Sequence, residues 1–92
     1  MGCNAYHIRI TGKVQGVWFR KHTLEKAKSL GLKGFVKNEP NGTVYTEVEG
    51  LDNTLLIEFI HWLRQGSPLS RVDHVSIEEA PKCKGFIDFK IL

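Results

Sequence analysis

The chain has 92 residues, of which 41% are hydrophobic and 10% aromatic. These proportions are typical of one folded globular domain over residues 1–92 and exclude a disordered tail. No apolar run approaches the roughly 20 residues of a membrane helix, and the start of the chain lacks the features of a secretory signal.

The positive charge is concentrated in the first half of the chain. Residues 1–46 carry eight Lys or Arg and two acids, whereas residues 47–92 carry five Lys or Arg and eight acids. A net charge of +6 in the first half and −3 in the second favours an anionic ligand near the first half. A solvated basic surface explains the same asymmetry equally well.

The two cysteines, Cys3 and Cys83, have neither the spacing of a metal site nor that of a redox motif. The simplest interpretation is a cytoplasmic protein with two free thiols. The four histidines are scattered without an i, i+4 pair on one helix, so we expect no metal site.

Alternating apolar and polar residues predict a first strand over residues 5–11. A helix is predicted over residues 21–32, with Gly31 as its C-terminal stop. A short strand over residues 33–38, a turn at 39–42 and a strand over 43–49 then form a hairpin.

Asp52 is expected to cap a second helix, which Gly66 ends. Two further strands are predicted over residues 72–78 and 85–92. The order of elements predicts a ferredoxin-like α+β sandwich. In this fold two helices pack on one face of a mostly antiparallel sheet, here of four to five strands.

The loop after the first strand reads G-K-V-Q-G-V-W-F-R, from Gly12 to Arg20. It lies at the start of a helix, where free N–H groups and the helix dipole favour an anion. Gly12 and Gly16 would let several N–H groups point into one concavity, and Arg20 has a fork suited to phosphate oxygens. Three apolar residues would anchor this loop in the core: Val14, Val17 and Phe19. An ordinary glycine-containing connection with an exposed arginine explains the pattern about as well.

Asn38 ends the second strand within G-F-V-K-N-E-P-N-G-T-V. Taken alone, this asparagine is best explained as a residue that helps bend the chain. Its amide also offers both a donor and an acceptor to a water and a ligand oxygen.

These two segments together resemble the two signatures of the acylphosphatase family, of which the first runs G-x-V-Q-G-V-x-F-R. Their order and the helix between them fit the family, as do S-P-L-S-R-V-D at residues 67–73 and the closing F-K-I-L. The resemblance covers essentially the whole chain. It implies a ferredoxin-like, cofactor-free enzyme that hydrolyses the carboxyl–phosphate bond of acyl phosphates.

The resemblance also implies roles for individual residues. Arg20 matches the family's phosphate-binding arginine and Asn38 its catalytic asparagine. The phosphate-binding loop maps onto Gln15, Gly16, Val17, Trp18, Phe19 and Arg20, with Trp18 at the variable position of the signature. We therefore expect in-line attack by a water that Asn38 positions, without a metal or a general base.

Two other functions compete with hydrolysis. RNA-recognition motifs share the strand and helix order and the basic charge, but Tyr45 is the only aromatic residue on the third predicted strand, so the stacking platform is missing. A catalytically silent accessory domain is the second alternative.

We expect a monomer that binds a small acyl phosphate and is inhibited by inorganic phosphate, with no nucleic-acid or membrane partner.

Overall fold

A computed structural model describes residues 2–92, so the predicted domain of residues 1–92 includes Met1 outside the described part. This part of the chain forms five strands and two helices, with one helix after the first strand and the other after the third. The strands are β1 (Asn4–Lys13), β2 (Lys33–Asn38), β3 (Val44–Gly50), β4 (Arg71–Glu79) and β5 (Phe89–Ile91). The helices are α1 (Phe19–Ser29) and α2 (Asn53–Gln65). The predicted elements are all present, with ends that differ by a few residues.

The five strands form one sheet in the order β4-β1-β3-β2-β5. All neighbouring pairs are antiparallel except β2 and β5, which are parallel. The predicted ferredoxin-like sandwich, with two helices on a mostly antiparallel sheet, is confirmed. Neither helix in this part of the chain has the length and apolar character needed to cross a bilayer.

The core lies between the sheet and the two helices. Each helix contributes one buried row of residues at helical spacing. The buried residues are Phe19, Thr23 and Ala27 on α1 and Leu56, Phe59 and Leu63 on α2. As predicted, Asp52 caps α2, because its carboxylate accepts a 2.9 Å hydrogen bond from the Thr54 N–H.

The last strand is shorter than predicted, because residues 85–88 form no strand. The N–H groups of Gly85 and Phe86 each donate a 2.8 Å hydrogen bond to Oε1 of Glu49, and the Lys84 N–H donates to Oε2. A carboxylate that accepts three backbone N–H groups replaces the ladder bonds that a strand would make. Glu49 is therefore only 5% exposed, although it is charged.

The two cysteines are joined, which corrects the expectation of free thiols. Cys3 and Cys83 form a disulfide across 80 residues of sequence. The spacing of the two residues in the sequence does not indicate this bond. The bond forms because the segment before β5 returns to the start of β1. The disulfide holds that segment near Glu49, whose carboxylate lies within 4.8 Å of both sulfur atoms.

Candidate active site

Buried apolar side chains attach the loop between β1 and α1 to the core, as the sequence predicts. Val14 and Phe19 are each 1% exposed and Val17 is 7% exposed. The Phe19 ring lies 5.8 Å from that of Trp62 on α2. The Ser67 hydroxyl adds a long 3.5 Å hydrogen bond to the Val17 carbonyl. Together these contacts attach the loop to the core.

The loop backbone takes two left-handed conformations in close succession. Gly16 has a φ of 73° and Trp18 a φ of 62°. Alternation of this kind turns successive N–H groups toward one side and forms an anion-binding concavity. Trp18 is the only residue other than glycine with positive φ in residues 2–92. A bulky residue in this region costs roughly 1–2 kcal/mol, so the surrounding packing must hold it there.

A row of backbone donors lies at this loop and at the first turn of α1. The first helical hydrogen bond runs from the His22 N–H to the Trp18 carbonyl, at 3.1 Å. None of the six N–H groups from Gly16 to Lys21 donates to an acceptor in the described chain. Trp18 provides no side-chain cap, and no acid lies in the first turn of α1. Together with the helix dipole, these free donors form a site that favours an anion.

Gly12 has a different role from the one the sequence suggested, because it lies within β1 and not in the loop. It sits at a register shift where β1 pairs with β4. A Cβ atom there would come within 2.1 Å of the Arg71 carbonyl oxygen. Gly12 is therefore required for close approach of two strands, whereas Gly16, whose Cβ would meet nothing within 4 Å, is required for its positive φ.

The Arg20 side chain is half-buried at the start of α1, and it forms no salt bridge with any acid in residues 2–92. Lys21 follows it, with Nζ 5.6 Å from the centre of the Trp18 ring. Two cations without acidic partners thus lie beside the six free N–H groups. The local charge is positive, as the asymmetry of the sequence predicts.

An open cavity of about 510 Å³ adjoins this loop. It is lined by Val14, Gly16, Trp18, Phe19, Arg20, Lys21 and Ile91. Ile91 reaches the cavity because β5 pairs with β2 and is the one lining residue that comes from a distant part of the chain. The cavity therefore combines polar groups at the helix start with an apolar wall.

Asn38 is the last residue of β2 and is not in the wall of that cavity. Its Oδ1 is buried and accepts no hydrogen bond from any described residue. The turn-forming role belongs to Asn41, whose Oδ1 accepts from both the N–H and the hydroxyl of Thr43. Because Asn41 makes the bonds of the turn, the explanation of Asn38 as a turn residue is weakened. The buried Oδ1 of Asn38 therefore requires a different explanation.

The sheet brings Asn38 and the loop to the same end of the molecule. Ile10 on β1 and Asn38 on β2 both pair with Val44, which lies between them on β3. Their Cα atoms are therefore about 10 Å apart, which is two strand spacings. The loop begins four residues after Ile10, at Val14, so it leaves the sheet at the end where β2 stops.

Gln15 connects the loop to the hairpin that follows Asn38. Its Nε2 donates hydrogen bonds of 2.8 Å to the Glu39 carbonyl and 2.9 Å to the Thr43 carbonyl. The Glu39 carboxylate is paired with Arg9 at 2.7 Å, so its charge is partly neutralised. The side-chain donor of Gln15 thus fixes the loop relative to β2, a role that the pattern of the loop alone does not reveal.

Comparison with known proteins agrees with this geometry. The family model for acylphosphatase matches residues 6–91. The chain belongs to the acylphosphatase family. Its class of enzyme, an acylphosphatase hydrolase, is confirmed, and the family implies a small acyl phosphate as substrate.

Individual relatives cover nearly the whole chain. An acylphosphatase from Marinobacter nauticus is 40% identical over 91 residues, covering 98% of this chain and 97% of its own. The crystal structure of acylphosphatase from Bacillus subtilis matches with a TM-score of 0.92 and 36% identity, covering 97% of this chain and 98% of that one. An acylphosphatase from Coxiella burnetii also has a TM-score of 0.92, with 33% identity over 99% of this chain and 94% of its own.

Proposed function

We propose that this acylphosphatase hydrolyses acyl phosphates by in-line attack of a water on phosphorus. The main support is the row of six N–H groups, Gly16 to Lys21, that donate to no acceptor in residues 2–92. In this proposal the donors of the loop from Gln15 to Arg20 hold the non-bridging phosphoryl oxygens. Arg20 adds its planar pair of donors, which no carboxylate in the described chain occupies.

Asn38 is proposed to orient the attacking water. The buried Oδ1 without a partner supports this role, since an acceptor of this kind costs about 1–3 kcal/mol unless something donates to it. A water whose O–H points at this oxygen has its own lone pair free for phosphorus. The hydrogen bond from the Gln15 side chain to the Glu39 carbonyl holds Asn38, the residue before Glu39, close to a fixed position relative to the loop.

The bond changes follow from the chemistry of an acyl phosphate. Water oxygen forms a bond to phosphorus while the bond from phosphorus to the acyl oxygen breaks, and the carboxylate leaves with the electron pair. The water proton passes to a phosphate oxygen of the substrate, so the products are a carboxylate and inorganic phosphate. A carboxylate is a good leaving group, so the enzyme has mainly to position the water and stabilise charge on phosphoryl oxygens.

The proposal includes a metal-independent reaction, because Arg20 and the backbone donors supply the positive potential that a metal would otherwise supply.

The proposal also includes competitive inhibition by inorganic phosphate, a monomeric state and a cytoplasmic location. In a reducing cytoplasm the bond between Cys3 and Cys83 that the structure contains would be reduced to two thiols. Alkylation of thiols in freshly lysed cells reports their state, and size-exclusion chromatography with light scattering reports the monomer.

The decisive experiment is hydrolysis of benzoyl phosphate with a chelator present. We expect activity in the parent protein and a loss of at least 100-fold in Arg20→Ala and Asn38→Ala. Arg64→Ala removes an exposed arginine of α2, and Asn41→Ala disturbs the turn beside Asn38. Both of these controls should keep most of the activity.

Each part of the proposal has its own contrary result. Full activity in either test variant removes the role of that residue, and loss of activity with chelator removes the metal-independent reaction. An inactive parent protein supports the accessory domain. Inorganic phosphate that fails to compete with substrate contradicts a small-anion site in the loop.

A further inference from the structure

Trp18 combines strain with exposure in a way that the phosphate-binding loop does not require. Its side chain is 69% exposed although its neighbours Val17 and Phe19 are buried. Its φ of 62° lies in the region that glycine occupies most easily. A loop that needed only backbone donors would be better served by glycine at this position. The indole is therefore kept at a cost, which suggests a function for the side chain itself.

The cavity beside Trp18 is larger than a phosphoryl group needs. Its volume of about 510 Å³ falls within the range of sites that hold small organic ligands. The donors at Gly16 and Arg20 occupy one part of its lining, and the remainder is largely apolar. Trp18 and Ile91, which is 40% exposed, are the large apolar lining residues that solvent still reaches. Val14 and Phe19 form the buried floor.

Lys21 supports one orientation of the indole. Its Nζ lies 5.6 Å from the centre of the Trp18 ring, within the range of a cation–π contact. With this contact the Trp18 side chain is still 69% exposed, so the ring offers a platform for a planar or apolar group. The ring is also rigid, with two rotatable bonds, so little freedom is lost when a ligand packs on it.

We propose that Trp18 and Ile91 form an acyl-binding wall that selects substrates with an aromatic or bulky apolar acyl group. The inference rests on the proposed function, because it needs the phosphoryl group at Gly16 to Arg20. With that group in place, the acyl end of the substrate extends into the rest of the cavity. An aromatic acyl group then packs on the indole, whereas an acetyl group is too short to use it.

The size of the preference follows from known aromatic contacts. A pair of aromatic rings contributes about 0.5–1.5 kcal/mol beyond the area it buries, which corresponds to about 2- to 13-fold in affinity. The quantity to measure is kcat/KM for benzoyl phosphate divided by kcat/KM for acetyl phosphate. We expect this ratio to fall about 3- to 10-fold in Trp18→Gly, mainly through a higher KM for benzoyl phosphate.

Two further variants keep the test independent of folding. Trp18→Phe retains a ring and should keep most of the preference, while Ile91→Ala should lower the ratio by about 2- to 5-fold. Ile57→Ala truncates an isoleucine of α2 that is 57% exposed and lies outside the cavity, so its ratio should match the parent. Thermal unfolding of each variant reports whether the fold is intact.

The outcomes separate this inference from the proposed function. An unchanged ratio in both Trp18→Gly and Ile91→Ala overturns the acyl-binding wall, even if both substrates are hydrolysed well. An equal loss of kcat/KM for both substrates would mean that Trp18 acts only on the conformation of the loop, and this result also overturns the acyl-binding wall. A higher rate for acyl phosphates with a terminal carboxylate would point to Lys21 in place of the indole. Failure of the parent to hydrolyse either substrate, or to bind inorganic phosphate by calorimetry, contradicts the proposed function.

Discussion

Replacing Asn38 should change activity and stability in opposite directions. The change from Asn38 to leucine keeps a similar shape and removes the amide. In the parent protein the buried Oδ1 has no donor in residues 2–92, and one ordered water bound there offsets only part of the about 1–3 kcal/mol that burial of such an acceptor costs. Without the amide that cost disappears, whereas the apolar replacement fills the same space at the end of β2. We expect Asn38→Leu to be more stable than the parent by about 1 kcal/mol.

The expected loss of activity is much larger than the gain in stability. Removing one group that acts on the transition state typically lowers kcat by 10²- to 10³-fold, equal to about 2.7–4 kcal/mol. A gain of 1 kcal/mol would raise Tm by about 4–8 °C in a domain of this length. The two effects differ in sign, so no common loss of folded protein can produce both. The assays are benzoyl phosphate hydrolysis and thermal or urea unfolding of the same preparations.

The reasoning would be refuted by a parallel fall in both quantities. If Asn38→Leu lost 1 kcal/mol or more of stability along with its activity, Asn38 would be a structural residue with partners in the folded state. If it kept its activity, another group would have to orient the water. Asn41→Ala is the matched control, because it breaks hydrogen bonds to Thr43 and should lower stability while activity persists.

Three other results are expected. Arg20→Lys should recover only part of the activity lost in Arg20→Ala, measured as kcat/KM, because an ammonium group lacks the fixed planar pair of donors that a guanidinium offers to two phosphoryl oxygens; equal activity in the lysine and arginine forms would contradict this. Burial by itself would raise the pKa of Glu47, but hydrogen bonds from Lys84 and Tyr45 outweigh it and lower that pKa. Its contribution to the free energy of unfolding is therefore present above the unfolded pKa of about 4.3 and lost as pH falls through the folded pKa, so urea midpoints of the parent and Glu47→Gln should converge in acid. Finally, Cys3→Ser should lower the free energy of unfolding by about 2–4 kcal/mol under oxidising conditions and leave hydrolysis intact, because the disulfide does not line the cavity at Arg20; no difference from the parent would show that the bond contributes nothing.

Much of the fold follows from local patterns in the sequence. The alternation in β1 and β3 and the helical spacing in α2 depend on residues close to one another in the chain. The Asp52 cap and the stop at Gly66 likewise involve one or two turns of helix. The apolar anchors of the loop were predictable for the same reason, since Val14, Val17 and Phe19 belong to that short segment. Arg20 and Asn38 came from two motifs and from their resemblance to a family, and their roles are still predictions.

The tertiary structure decided the features that join distant segments. Pairing of both Ile10 and Asn38 with Val44 places the loop and β2 at one end of the sheet. The same pairing lets the Gln15 amide reach two carbonyls of the hairpin. No local pattern specifies these contacts, because they depend on which strands become neighbours.

The structure at the end of the chain also depends on contacts with distant segments. Residues 85–88 have the composition of a strand, yet the Glu49 carboxylate captures the N–H groups of Gly85 and Phe86. The bond between Cys3 and Cys83 likewise requires two segments 80 residues apart to meet. By itself, then, the sequence determined the elements, the fold class and the two motifs, since each is encoded by near neighbours. Only the tertiary structure decided the role of Gly12, the contact of residues 84–86 with Glu49 and the place of Ile91 in the cavity lining, since each depends on a partner far along the chain.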